Sequence, residues 1–197
     1  MTTQKIFSRY DASVVLFECE LPEGLPSGLA MRHALESAVR SGSDLSDSNL
    51  SDSNLRGSDL RGSNLSGSDL SGSNLRGSNL SGSDLSDSKT DFFDILLRAP
   101  HEIAGLRLAL VEGRVNGSTY SGACACLVGT VANIRAVDYR TLGNGITPNS
   151  SRPAERWFLA IHEGSTPENS AVCALTVEWL DEFAGLLATA TAAQVSA

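Results

Sequence analysis

Leucine returns at every fifth position from Leu45 to Leu85, nine times without a break. The positions around it are polar and equally regular. Serine stands two before each leucine, and aspartate or asparagine one before, as in SDLSD, SNLRG and SNLSG. A five-residue period suits neither ordinary element. On a helix the leucines would walk around the axis and leave no lasting apolar stripe. On a strand successive leucines would alternate faces, because five is odd. The spacing predicts a chain that turns a corner after each unit, so that every leucine points to one axis. Four units then close a coil, and coils stack at about the strand spacing of 4.8 Å. Nine units make a little over two coils, roughly 10 Å of stack. Nearest-neighbour contacts stabilise such stacks, so one this short needs its flanks to cover both open ends.

The flanks carry different patterns. Lys5–Tyr10 and Ser13–Glu20 read as two short strands joined by a turn at Asp11-Ala12. Leu29–Arg40 reads as a helix that Gly42 ends, placed to cap the coil. After Lys89 the period is lost. Thr90 is placed to cap a helix DFFDILLRA, Pro100 to open a second, HEIAGLRLALVEG, and Asn116-Gly117 to form a hairpin-type turn. Ser118–Ile134 reads as one or two strands and Glu155–Ile161 as another, across a loop from Gly143 to Pro153. Thr166-Pro167 opens a final helix whose apolar stripe is Val172, Leu175, Trp179, Phe183 and Leu186, with a frayed tail after about Ala190. Three parts are expected: 1–42, an N-terminal hairpin and capping helix; 43–88, the repeat; and 89–197, an α+β domain.

The unit S-(D/N)-L-(S/R)-(G/D) closely resembles the pentapeptide-repeat family. The resemblance implies a right-handed quadrilateral β-helix of about two coils, with the central leucine and the residue two before it pointing inward. That inward residue is most often alanine in the family and is serine in all nine units here, so each buried hydroxyl needs a hydrogen-bond partner. Further on, DFFDILLRAP, GRVNGSTYSGACACLVGT and SSRPAERWFLAI resemble the C-terminal part of pentapeptide-repeat proteins encoded by phages and prophages, over roughly residues 91–187. That second resemblance implies source and architecture and brings no catalytic motif.

Charge narrows the classes. The formal net charge of −8 over 197 residues disfavours direct binding to nucleic-acid phosphates. No apolar run approaches a membrane span, MTTQKIFSRYD does not have the form of a signal peptide, and four scattered cysteines make no disulfide framework. The expected location is the reducing cytoplasm. A period of twenty residues stacks Arg56 over Arg76 with Arg61 on the next face. It also places Asp44, Asn64 and Asp84 in one column and Asp47 and Asp87 in another. Arg56, Arg61 and Arg76 thus form a basic strip on otherwise acidic or amide faces, a candidate binding surface.

Two further constellations carry potential chemistry. Cys124 and Cys126 on a strand would face one side, and Cys173 or His162 would complete a tetrahedral zinc site. Two small buried thiols are the plainer reading, and no metal or other cofactor is expected. Arg152, Glu155, Arg156 and Trp157 would bind an anion or form an Arg–Glu clamp that pins the long loop. No phosphate loop, metalloprotease or nucleophile-elbow motif occurs.

Three functions follow. The favoured one is non-enzymatic: a phage-encoded module that binds, and inhibits, a protein of the bacterial host, with a homodimer through the final helix compatible with its apolar stripe and with family habit. The second is an acidic nucleic-acid mimic acting on a gyrase-type enzyme, as the family resemblance implies. About 10 Å of coil imitates only about three base pairs, however, and residues 41–88 hold seven aspartates against three arginines. The third is a cysteine-dependent or zinc-binding enzyme in the C-terminal part.

Overall fold

The computed structural model describes residues 2–195, with side chains through residue 192. Its organising element is the repeat. Parallel bridges join Asn49 to Asp69, Asn54 to Asn74, Asp59 to Asn79 and Asn64 to Asp84, so each unit lies on the one twenty residues before it. The result is a β-helix-like coil. All nine leucines are buried, from 0% exposure at Leu45 to 6% at Leu85.

Each position in the unit has a local job. The amide two places beyond every Asp or Asn donates to its side-chain oxygen at 2.9–3.4 Å, an Asx turn in all nine units. The chain then bends through a four-residue turn. In Leu55-Arg56-Gly57-Ser58, for example, the Ser58 amide donates to the Leu55 carbonyl at 3.1 Å. The third residue of that turn has positive φ, 68° at Gly57, which is the glycine position of a type II turn. Asp47 and Asp52 hold the same conformation at φ 56° and 53°. Their carboxylates lie over Gly67 and Gly72, where a Cβ would collide with them.

Before the coil stands a hairpin of β1 (Thr3–Phe7) and β2 (Val15–Glu20), antiparallel with Thr3 opposite Glu20 and Ile6 opposite Phe17. The end of β1 runs on into the coil. The Asn49 amide donates to the Phe7 carbonyl and the Arg9 amide to the Asp47 carbonyl, both at 2.8 Å, which closes the first open strand edge. Helix α1 (Ala30–Ser41) ends at Gly42, left-handed at φ 69°, and buries Ala34, Leu35 and Ala38. These elements agree with the expected hairpin, helix and stop.

The C-terminal part differs from the α+β domain expected of residues 89–197. Past the coil it is helical: α2 (Ser86–Arg98), α3 (Ile103–Val111), α4 (Leu127–Arg135), α5 (Pro153–Phe158) and α6 (Ala171–Val195). A 3-10 turn over Pro100–Glu102 introduces α3. The expected strand over Ser118–Ile134 is instead a loop and α4, with a parallel bridge from Val115 to Ala125. The expected strand over Glu155–Ile161 is mostly α5. Thr90 does not cap α2, which begins inside the ninth repeat unit at Ser86 and so lies against the coil's last turn. The apolar stripe of α6 is buried at Val172, Trp179 and Phe183 but ends in an exposed Leu186. Within the tail expected to fray, α6 continues to Val195; residues 196–197 lie outside the described residues.

One buried apolar cluster runs from Ile6 and α1 through the nine leucines to Phe92, Trp157 and Phe183. Aromatic contacts knit its C-terminal end: Phe92 lies 5.6 Å from Phe158 and Trp157 5.0 Å from Trp179. A second, smaller cluster gathers Ala99, Cys126, Val128, Val131, Leu142 and Ile146. Among the described residues no helix is long and apolar enough to cross a membrane.

Candidate functional site

The coil's outward positions form columns. Asn64 donates to Asp44 at 2.8 Å and bridges Asp84, and the Gly57 amide donates to the Arg76 carbonyl at 2.9 Å. Arg56 and Arg76 are therefore successive rungs of one column. Both side chains are exposed and neither has an acceptor among the described residues. Arg61, on the next face, is committed to its neighbour Asp59 through two bonds of 2.8 and 2.7 Å. That contact holds the Asp59 carboxyl below its usual range. Of the expected strip, two guanidinium groups remain free and one is already paired.

Helix α1 backs the same face. The Arg32 guanidinium donates to the Arg56 and Gly57 carbonyls, both at 2.9 Å, and to Glu36 at 3.0 Å. Glu36 in turn accepts the Asp59 amide at 3.1 Å. Neither anchor had a local sign in the sequence, because each lies more than twenty residues from its partner on the coil. Their effect is to hold the turn that carries Arg56 in one position.

The face stands on a coil with a hydrogen-bonded interior. Ser48 donates to Ser68 and Ser58 to Ser78, at 3.0 and 3.1 Å. Ser68, Ser73, Ser78 and Ser83 then donate to the carbonyls of Leu45, Leu50, Leu55 and Leu60, at 2.5–2.8 Å. Ser68 to Ser83 are thus satisfied by the layer before them, while Ser53 and Ser63 donate to the Ser51 and Leu60 carbonyls of the adjacent unit at 3.3 and 2.8 Å, which meets the demand that buried hydroxyls make. Residues 48–87 match the family model for pentapeptide repeats, in eight copies. The match covers about a fifth of the chain and characterises the pentapeptide-repeat coil alone. No curated protein and no solved structure matches the chain.

Outside the pentapeptide coil, the expected Arg–Glu clamp is rearranged. Arg152 binds Asp91 at 2.6–3.2 Å and Asp94 at 2.9 Å, and does not bind Glu155. Asp91 also accepts the Ala154 amide at 3.0 Å at the start of α5. Glu155 is buried and accepts the Tyr120 hydroxyl at 2.6 Å and the Asn149 amide at 2.9 Å. Burial, reinforced by that carboxylate, pushes the Tyr120 hydroxyl's pKa up. Trp157 is buried and donates to Thr176 at 2.9 Å, while Nε of Arg156 is buried with no partner among the described residues. The four residues do not form one anion site; Arg152, Glu155 and Trp157 each pin a different element.

The thiols are dispersed too. Cys126 precedes α4 in the smaller core cluster, Cys173 lies in the larger one, Cys124 is half-buried and His162 is exposed. Cys124 and Cys126 do not share a strand face, because the segment turns into α4. Among the described residues no group of three or more His, Cys, Asp or Glu is gathered to hold a metal. Burial pushes the Cys126 thiol up to about 11 and Cys173 to about 12, the wrong direction for a thiolate nucleophile or ligand.

Two open spaces complete the surface. A cleft of about 440 Å³ separates Gly77–Gly82 of the coil from Pro167–Glu178. A groove of about 950 Å³ between α3 and α6 is floored by Ile103, Ala104, Ala184, Leu187 and Ala188. The Arg107–Asp181 ion pair, at 2.7 Å, also lines it.

Proposed function

We propose that this protein is a non-enzymatic binding module whose coil presents Arg56 and Arg76 to an acidic surface of another protein. The observation that carries the reading is the pair of unmatched guanidinium groups one rung apart, on a turn that Arg32 anchors from behind. Like charges stacked at about 5 Å repel each other, and a partner's carboxylates would relieve that repulsion through bidentate bonds. The raised thiol pKa values and the structural use of Arg152, Glu155 and Trp157 also favour binding over catalysis. The match to pentapeptide repeats fits the same reading, and the coil is taken to be the right-handed quadrilateral β-helix of that family.

The resemblance of the C-terminal stretches to phage and prophage proteins makes a bacterial host protein the expected partner, with inhibition as the outcome and the cytoplasm as the place. A second copy bound through α6 and the α3–α6 groove is compatible with this assignment. The test is capture from a bacterial lysate with wild type beside Arg56→Glu/Arg76→Glu, both first shown to be folded. A partner held by wild type and lost by the double variant supports the assignment. A partner held equally by both moves the site off the coil, and no partner at all overturns it.

A further inference from the structure

Two asparagines stand directly before glycine, Asn116-Gly117 and Asn144-Gly145. In such a pair the glycine nitrogen is uncrowded and can attack the side-chain amide carbon. A new N–C bond forms, the amide C–N bond breaks, and the nitrogen's proton leaves with ammonia. Water then opens the cyclic imide to aspartate or isoaspartate. One water is consumed, one ammonia is released, and nothing is oxidised or reduced. The sequence makes the two sites alike; the fold separates them.

Asn116 is held. Its side-chain oxygen accepts the Ser118 amide at 3.1 Å and the Ser118 hydroxyl at 2.6 Å. The Gly117 nitrogen, which would be the nucleophile, donates to the Ile161 carbonyl at 2.9 Å. The Gly117 Cα is pressed against Phe158 and Leu159 so closely that a Cβ would overlap them. Ring closure here requires local opening first.

The Asn144 side chain is not held in this way. It heads a turn closed by the Ile146 amide on the Gly143 carbonyl at 3.0 Å, with φ of 52° at Asn144 and 72° at Gly145. Both residues are exposed, and among the described residues neither the Asn144 side chain nor the Gly145 nitrogen has a hydrogen-bond partner. Arg98 adds an activating contact: its Nη1 donates to the Asn144 carbonyl oxygen at 3.4 Å. That oxygen and the Gly145 N–H belong to one peptide group, so the guanidinium stabilises the negative charge that grows as the nitrogen loses its proton.

We propose that Asn144 is a site of spontaneous deamidation in the folded protein, with Arg98 as the promoting cation, while the fold protects Asn116. The product sets a new carboxylate beside Arg98, which now pairs with Asp94 at 2.9 Å, and isoaspartate lengthens the main chain of the turn by one methylene. The test follows both asparagines in the full-length protein by peptide mapping and mass spectrometry at mildly alkaline pH, with enzymatic methylation to mark isoaspartate. Asn144 is expected to convert at least about tenfold faster than Asn116, the ratio set by roughly 1.4 kcal/mol of local opening. In urea the two rates should converge, and Arg98→Gln should slow Asn144 and leave Asn116 unchanged. Equal rates in the folded protein, faster loss at Asn116, or no conversion at Asn144 would overturn the proposal. An Arg98→Gln variant that reacts like wild type would remove Arg98 from it.

Discussion

At Ser58 and Ser78 two hydroxyls stand in series: Ser58 donates to Ser78, and Ser78 donates at 2.6 Å to the carbonyl of Leu55, twenty-three residues earlier. This arrangement explains how serine replaces alanine throughout the inward column without leaving orphaned polar atoms. Alanine would ask for nothing; serine must find an acceptor, and from Ser68 to Ser83 that acceptor is the leucine carbonyl of the preceding coil. The two serines are not equivalent. Removing the Ser78 hydroxyl strips Ser58 of its acceptor, whereas removing that of Ser58 leaves Ser78 still bonded to Leu55. Ser78→Ala is therefore expected to cost about 1–2 kcal/mol and Ser58→Ala less. The double variant should cost less than the sum of the two, since it leaves no hydroxyl unmatched. Urea unfolding of the three variants beside wild type reads this directly, and strict additivity would show that the hydroxyls act independently.

Elements were legible in the sequence in proportion to how locally they are specified. The coil declared itself because the five-residue register is unbroken, with an Asx oxygen in every unit and a positive-φ glycine in six of the nine. The hairpin and α1 had local stop signals in Asp11-Ala12 and Gly42. The run Ser118–Ile134 did not: a continuous apolar stretch fits a buried strand or a buried helix equally, and only its packing among Ala99, Leu142 and Ile146 makes it α4. Arg152 could not be assigned from its neighbours either, because Asp91 lies sixty-one residues away. The same distance hid Glu102, which meets Arg135 at 2.8 Å across thirty-three residues and ties the turn before α3 to the end of α4. Hydrogen bonds from Arg135 hold the Glu102 carboxyl below its ordinary value of 4.5, outweighing its burial. A depressed folded-state pKa contributes stability above the unfolded value, and that contribution fades as pH falls through the folded one. Glu102→Gln is therefore expected to be less stable than wild type at neutral pH, with the gap closing progressively below about pH 4.5. Thermal melts of both proteins across that range check it, and a gap constant with pH would mean that the ion pair contributes nothing.

For the whole molecule, the question is whether the coil is a unit or a layer. The apolar cluster gives an answer, since it passes without interruption from Ile6 and Leu35 through the nine leucines into Phe92 and Phe158. Leucine exposure rises from 0% at Leu45 to 6% at Leu85, so the hairpin and α1 seal their end more tightly than α2 seals the other. The hairpin also supplies the carbonyl that the Asn49 amide needs, and α1 supplies the arginine that holds Arg56 and Gly57. A solenoid of little over two coils has few neighbouring layers to share its stability, and a bare end exposes both apolar core and unpaired strand edge. A peptide of residues 43–88 is thus expected to be unfolded in water. A chain lacking residues 1–42 is expected to unfold less cooperatively than the intact protein. Hydrogen exchange gives the sharper reading: the Leu50, Leu55 and Leu60 amides, each bonded one coil ahead at 2.9–3.0 Å, should be protected in the whole chain and exchange freely in the truncated one. Protection that survived the truncation would make the coil self-supporting. Arg56 and Arg76 could then be studied on the repeat alone, whereas its loss would mean that any binding face on the coil exists only while the hairpin and α1 hold it closed.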